Sequence, residues 1–256
     1  MQILVTNDDG VYADGLWALV KELQHIGKVT VSAPDRDQSG VGTAVSLRQP
    51  LRLKEIKAPL TNVQAYSVEG TPGDAVILAL RHAVKDSVDL VVSGINEGPN
   101  LGNDVFISGT IGAALQGYFY GIPSIAISVA AFEALNFDVA AQAARFLADG
   151  FRKKLLPQRL LLNVNVPNLP REKIGGIEIT SLGNRNFTDK INQGHDGKRD
   201  YFWITRGVPE WDVAAGTDVW ALEQNLISIN SFPDPANLNG RYGPFFKDMA
   251  SELLRK

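Results

Sequence analysis

Residues 1–33 read MQILVTNDDGVYADGLWALVKELQHIGKVTVSA, and this stretch holds a complete strand–helix–strand unit. Ile3 to Thr6 is a short apolar run of β-type residues. Gly15 to Ile26 places Leu16, Leu19, Val20 and Leu23 at helical spacing. Val29 to Ala33 is apolar again. Parallel strands need a long crossover, usually a helix, so this order predicts a parallel pair.

The alternation continues downstream. Pro72 to Val84 reads as a helix, with Thr71 as N-cap, Pro72 at the first helical position and Asp74 in the first turn. Val88 to Val92 is a near-continuous apolar run, the pattern of a strand buried on both faces. Gly109 to Tyr120 is a helix of small residues, Ser124 to Val129 a strand and Asn136 to Gly150 a helix. The expected class is α/β: a mostly parallel sheet with helices on both faces, spanning residues 1–155.

The pattern changes near residue 155. Leu160 to Val166, Ile177 to Ser181, Tyr201 to Thr205 and Leu226 to Ile229 are strand-like, and no strong helix separates the last three. Residues 183–200 are polar and glycine-rich, and Val213 to Val219 is irregular. Residues 156–256 therefore read as an antiparallel, partly projecting β extension, closed by a helix over Pro244 to Leu254. Projecting strands usually pair with something, often another subunit.

Composition narrows the partners. The 256 residues are 45% hydrophobic and 21% charged, with a formal net charge of −3. A mildly acidic chain gains no bulk attraction to a nucleic-acid duplex or an anionic membrane. An anionic ligand would have to be drawn locally, by a metal or by backbone N–H groups. Cysteine is absent, which removes disulfides, thiolate catalysis and cysteine zinc sites. The chain opens into a strand without a signal-peptide pattern, so a cytoplasmic location is the expectation. The most apolar region, Ile111 to Leu135, is broken by Gly117, Gly121, Pro123 and Glu133 and does not read as a membrane span.

Four segments could carry chemistry. Asn7-Asp8-Asp9-Gly10 follows the first strand, where open α/β sheets bind ligands. Adjacent carboxylates there are costly without a positive neighbour. An extended strand would aim Asp8 and Asp9 to opposite faces, so the chain must turn, and Gly10 permits it. The plain alternative is an acidic helix entry, a task Asp14 could serve alone. Adjacent carboxylates lack the D-x-D spacing of aspartyl-phosphate enzymes and favour metal ligation. Ala33 to Gly40 (APDRDQSG) follows the second strand and offers Ser39 and Gly40 to an ion or phosphate, or is an ordinary solvated loop. Ser93 to Gly102 (SGINEGPNLG) follows the next buried strand, and Asn96 is an oxygen donor suited to a hard cation. Ser108-Gly109-Thr110 opens a helix, where free N–H groups, hydroxyls and the positive dipole end seat a phosphate; simple N-capping is the alternative. There is no Walker A loop, no G-x-G-x-x-G after the first strand and no G-x-S-x-G. His25, His82 and His195 are too few and scattered for a histidine zinc site.

Together ILVTNDDG (3–10), APDRDQSG (33–40), EGTPGDAV (69–76), VVSGINEGPNLGNDVFISGTIGAALQG (91–117) and GTDVWAL (216–222) resemble the SurE survival-protein family of 5′/3′-nucleotidases. The resemblance implies a Rossmann-like core and a C-terminal β extension used in dimer or tetramer formation. It implies one divalent cation, Mg²⁺ or Mn²⁺, on the residues matching Asp8, Asp9, Ser39 and Asn96. It implies a phosphate side matching Ser108, Gly109 and Thr110, which Ser39 and Gly40 join on their own chemistry; the expected catalytic set is Asp8, Asp9, Asn96, Ser108 and Thr110. The expected activity is hydrolysis of nucleoside 5′- and 3′-monophosphates. Ile107 and Gln116 depart from the family pattern, where Tyr and Glu are frequent; this bears on substrate preference rather than on the reaction. A non-catalytic nucleotide- or anion-binding regulator, or a polyphosphate or sugar-phosphate phosphatase, are the alternatives on the same frame.

Overall fold

The computed structural model describes residues 1–186, 189–205, 207, 210–232 and 238–255. Three parallel strands form its centre: β1 (Gln2–Thr6), with β2 (Lys28–Pro34) on one side and β5 (Leu90–Glu97) on the other. The sheet grows outward from β2 through β4 (Gln64–Val68) to β3 (Leu53–Ile56), the latter antiparallel. It grows outward from β5 through β6 (Ser124–Ala130) and β7 (Leu161–Pro167), both parallel. Beyond β7 lie β13 (Leu226–Ser231), antiparallel to it, and β8 (Gly176–Ile179) at the edge. The nine-stranded order is β3-β4-β2-β1-β5-β6-β7-β13-β8.

Side-chain alternation explains the layering. Ile3 and Val5 join a core with α1 (Asp14–Leu23) and α4 (Asp138–Arg152), while Leu4 and Val91 pack with α2 (Pro72–Leu78) and α3 (Gly109–Phe119) on the opposite face. Strand side chains point alternately, so helices cover both faces. Helix α6 (Gly243–Leu253) adds Phe246, Met249 and Leu253 to the first core. The expected cap of α2 is present: Thr71 accepts the Asp74 N–H, and the Asp74 carboxylate accepts the Thr71 N–H, a reciprocal capping box.

Several expectations change in detail. The helix expected over Pro72 to Val84 is α2 followed by a π-helical turn, Ala79–Ala83. Strand β5 runs on to Glu97, so Ser93 to Asn96 belongs to the strand rather than to the loop expected there. The pairing register of β5 shifts between Ser93 and Asn96, so the glycine and asparagine that read as loop residues sit at a strand irregularity. The sheet does not stop near residue 155: β7, β8 and β13 extend it, because the alternating Leu, Val and Ile residues of β7 and β13 are buried against the same core. What projects is smaller: the antiparallel hairpin of β10 (Lys190–His195) and β11 (Asp200–Thr205), which follows from the antiparallel pair of β9 (Asn184–Asn186) with β12 (Glu210–Asp212). Among the described residues no helix is long and apolar enough to cross a membrane.

Candidate active site

The sheet order reverses beside β1: the chain runs outward from β1 through β2 to the strands β3 and β4, then returns to β5 on the other side of β1. A crevice outside the strands' carboxyl ends forms at such a switch point. There Asn7, fully buried, clasps the turn: its Nδ2 donates to Gly10 O at 2.9 Å and its Oδ1 accepts the Gly10 N–H at 3.2 Å. Gly10 has φ +106°, and a Cβ there would come within 3.2 Å of the Arg36 carbonyl carbon. Glycine is required by both conformation and space. Asp8 and Asp9 are the two residues held inside this turn.

Asp8 is 3% exposed and accepts a 2.5 Å hydrogen bond from the Thr110 hydroxyl. Gly109 lies so close that a Cβ on it would sit 2.7 Å from Asp8 Cβ. The Asp8 carbonyl accepts the Gln38 N–H at 2.8 Å, and the Gly42 N–H donates to Ile107 O at 3.0 Å. The loops after β1 and β2 and the start of α3 are thereby locked together.

This packing makes the carboxylates expensive. Burial raises Asp8 to about 6, against the Thr110 hydrogen bond that lowers it. Asp9 is raised to about 8 by burial first, then by the charges of Asp8, Glu97 and Asp37. One Asp9 oxygen, Oδ2, is buried without a hydrogen-bond partner.

The other predicted residues surround this pair with different degrees of engagement. Ser39 is exposed, and its N–H and hydroxyl both donate to Asp37 Oδ1, at 2.8 and 2.6 Å. Gly40 beside it has φ +78° and open space around it. Asn96 sits at the end of β5 and donates from Nδ2 to Gly98 O at 2.8 Å, which orients its amide and leaves Oδ1 as an acceptor. Ser108 caps α3 by accepting the Ile111 N–H at 3.2 Å, so the plain N-cap reading holds for its oxygen while its hydroxyl proton stays available. Thr110 is spent on Asp8. Among the described residues no three His, Cys, Asp or Glu side chains group as a metal site. A cation here would need the amide and hydroxyl oxygens beside the aspartates.

The model of the family described as survival protein SurE matches residues 3–189. The chain belongs to the SurE family. A relative from Dehalococcoides mccartyi (strain ATCC BAA-2266 / KCTC 15142 / 195), named 5′-nucleotidase SurE, is 48% identical over 233 residues, covering 90% of this chain and 88% of its own. A relative of the same name from Legionella pneumophila (strain Lens) is 41% identical over 257 residues, covering 100% of this chain and 98% of its own. The crystal structure of the SurE protein from Aquifex aeolicus superposes with a TM-score of 0.76 at 36% identity, covering 93% of this chain and 96% of that one.

Sequence reasoning missed the supports behind this SurE-family site. Asp37 stands close enough to raise both Asp8 and Asp9, yet its segment was noted only for Ser39 and Gly40. Asn100, Asn163, Asn165 and Ser128 form a buried amide network under the loop after β5. Asn165 Oδ1 accepts the Asn100 N–H at 2.8 Å, both Asn163 and Asn165 donate to Asn100 O at 3.0 Å, and Asn100 Nδ2 reaches Ser128 Oγ at 2.9 Å. The signal was present in LLNVNVP: two asparagines at i and i+2 share one face of a strand that is otherwise apolar.

Proposed function

We propose that this chain is a divalent-metal-dependent phosphomonoesterase that hydrolyses nucleoside 5′- and 3′-monophosphates, a 5′-nucleotidase in the sense of its named relatives. The observation that carries the reading is the buried, mutually repelling pair Asp8 and Asp9, pressed against the opening of α3. Two desolvated carboxylates that resist ionising without a positive neighbour, one with an orphaned oxygen, fit a hard divalent cation held by Asp8, Asp9, Ser39 and Asn96, all oxygen donors. Mg²⁺ and Mn²⁺ are both served by this set. Such an ion, when bound, supplies Lewis-acid polarisation of a phosphoryl oxygen and a more acidic water.

The chain's own residues do the rest. The first N–H groups of α3, at Gly109 and Thr110, with the Ser108 hydroxyl proton, face an anion at the positive end of the helix. Thr110 fixes the rotamer of Asp8 and lowers its pKa. Gly40 leaves backbone N–H access beside Ser39. The Asn96 amide is pre-oriented by Gly98 O. Burial of Asp8, Asn7 and Thr110 excludes bulk water from beneath the reacting group.

The hairpin β10–β11 supports a homo-oligomer, since Tyr201, Phe202, Trp203 and Ile204 are all exposed. The cysteine-free composition fits a reducing compartment and supports a cytoplasmic protein.

The test is phosphate release from a panel of 5′- and 3′-nucleotides, with EDTA and with Mg²⁺ or Mn²⁺ restored. Metal-dependent release is expected. Release indifferent to EDTA would overturn the metal assignment. Binding without release from any mononucleotide would favour a regulator, and release from polyphosphate or sugar phosphates alone would move the substrate class.

A further inference from the structure

Asp218 opens α5 (Asp218–Glu223) and is fully buried. Its two carboxylate oxygens serve different parts of the molecule. Oδ2 accepts the Gly102 N–H at 2.8 Å, across 116 residues of sequence. Oδ1 accepts the Gly183 N–H at 2.8 Å and the Val219 N–H of its own helix at 2.9 Å. Burial raises its pKa, and the three N–H donors oppose that. A carboxylate serving only as a helix opener needs the Val219 N–H alone. The two remote donors call for another account.

Both lead somewhere specific. Gly102 starts the 3-10 turn Gly102–Phe106, which runs through Ile107 into Ser108, Gly109 and Thr110. Val105 in that turn is fully buried, so the turn moves as a packed unit. Gly183 immediately precedes β9, and β9 packs against the same 3-10 turn while pairing with β12. The chain between β9 and β12 is the segment that carries the projecting hairpin β10–β11. One carboxylate therefore joins the loop leading to the start of α3 to the root of the projecting arm.

We propose that Asp218 is a positioning residue: it sets the Gly102-to-Thr110 loop against the root of the arm, so that the anion seat at Ser108 to Thr110 is preformed and senses how the arm is held. This rests on the reading of Ser108 to Thr110 as the phosphate side of the site. Charge-assisted bonds to two loops at once are stronger and more directional than neutral ones. An amide cannot replace the carboxylate, because its NH₂ would face an N–H donor. The arm side can be disturbed without altering Asp218: a Cβ on Gly183 would lie 3.1 Å from Asp218 Oδ1 and 3.0 Å from Val219 Cγ2.

The variants Asp218→Asn and Gly183→Ala test this. Inorganic phosphate binding in the presence of Mn²⁺ is read by calorimetry, independently of turnover, alongside Mn²⁺ affinity, kcat, KM and thermal stability. The expected result is phosphate affinity weakened about 10-fold, as for a lost, misaligned set of hydrogen bonds. We expect kcat to fall about 100-fold, the scale of a displacement near 1 Å at a site, while Mn²⁺ affinity is unchanged. Unchanged phosphate affinity and kcat in folded Gly183→Ala would overturn the proposal. So would an equal loss of Mn²⁺ and phosphate affinity in folded Gly183→Ala. If Asp218→Asn does not fold, Gly183→Ala decides. A wild-type protein that binds phosphate but releases none from nucleotides would count against the proposed activity and leave the affinity comparison as the test of Asp218.

Discussion

Thr110 donates a 2.5 Å hydrogen bond to Asp8, joining the first turn of α3 to the end of β1 over 102 residues of sequence. Both residues are buried, so the bond is sheltered from competing water. Hydrogen bonds to a charged group contribute about 1.5–3 kcal/mol. Thr110→Val keeps the shape and removes the donor. It should lower kcat/KM about 10- to 100-fold on that scale, while Thr110→Ser should retain most activity. The same loss removes a group that lowers the Asp8 pKa, so Mn²⁺ binding by Thr110→Val should weaken most below neutral pH. Equal Mn²⁺ titrations for Val and Ser variants at pH 6 would count against the role given to this bond.

The second prediction concerns the metal-free protein. Asp8 and Asp9 have folded-state values of about 6 and about 8, both above the ordinary 3.8. The folded protein therefore holds these protons more tightly than the unfolded chain. The associated stability is full below about pH 4 and is lost as pH rises through about 6 and about 8. In EDTA the melting temperature should fall across this window, and Mn²⁺ should restore it most at the alkaline end. Asp9→Asn should flatten the upper half of the fall, abolish turnover and respond little to Mn²⁺. Melting curves with and without EDTA from pH 5 to 9 check all three outcomes. A metal-free wild type that gains stability over that range relative to Asp9→Asn would contradict it.

Much of this arrangement was legible in the residues. The strand–helix–strand unit of residues 1–33 predicts the parallel centre, and apolar runs such as Val88 to Val92 predict strands covered on both faces. The edge strand β3 and its neighbour β4 were not legible. β3 (LKEI) has no buried residue and β4 (QAYSV) buries only Ala65 and Val68, so neither has an apolar run to announce it. In the site, acidic and glycine-rich loops marked where chemistry could gather, because turns and burial demand such residues locally. Asp218 and Asn165 escaped because their partners lie far along the chain, and no local pattern states which backbone N–H a buried side chain will serve.

Two glycines at the site separate space from conformation. Gly109 has Asp8 where a side chain would go, 2.7 Å from a built Cβ, so Gly109→Ala must displace the carboxylate. Activity should fall at least about 100-fold, with Mn²⁺ affinity falling too. Gly40 has open space but φ +78°, so Gly40→Ala adds only backbone strain, about 1 kcal/mol. Its effect should appear as a modest rise in KM with kcat largely kept. Parallel kinetics of the two variants check the contrast, and similar losses in both would show that Gly40 is held as tightly as Gly109.

The last prediction concerns the arm. Among the described residues β10 and β11 pair only with each other, and a two-stranded hairpin alone is marginal in water. Successive strand residues point to opposite faces, so Tyr201 and Trp203 occupy one face and Phe202 and Ile204 the other. All four are exposed, and Ile191 on β10 adds to them at 61% exposure. A hairpin lying on its own domain would bury one of these faces. Two exposed apolar faces on a projecting arm fit contact with other copies of the chain on either side. Sedimentation should therefore find the wild type larger than a monomer at micromolar concentration. The pair Tyr201→Ser and Trp203→Ser, and separately Phe202→Ser and Ile204→Ser, should each reduce the mass. If the two faces serve two different contacts, each pair should stop assembly at a different stage, and only the four substitutions together should leave a monomer. A wild type that sediments as a monomer would remove the oligomer from the proposal and leave the apolar hairpin to another partner.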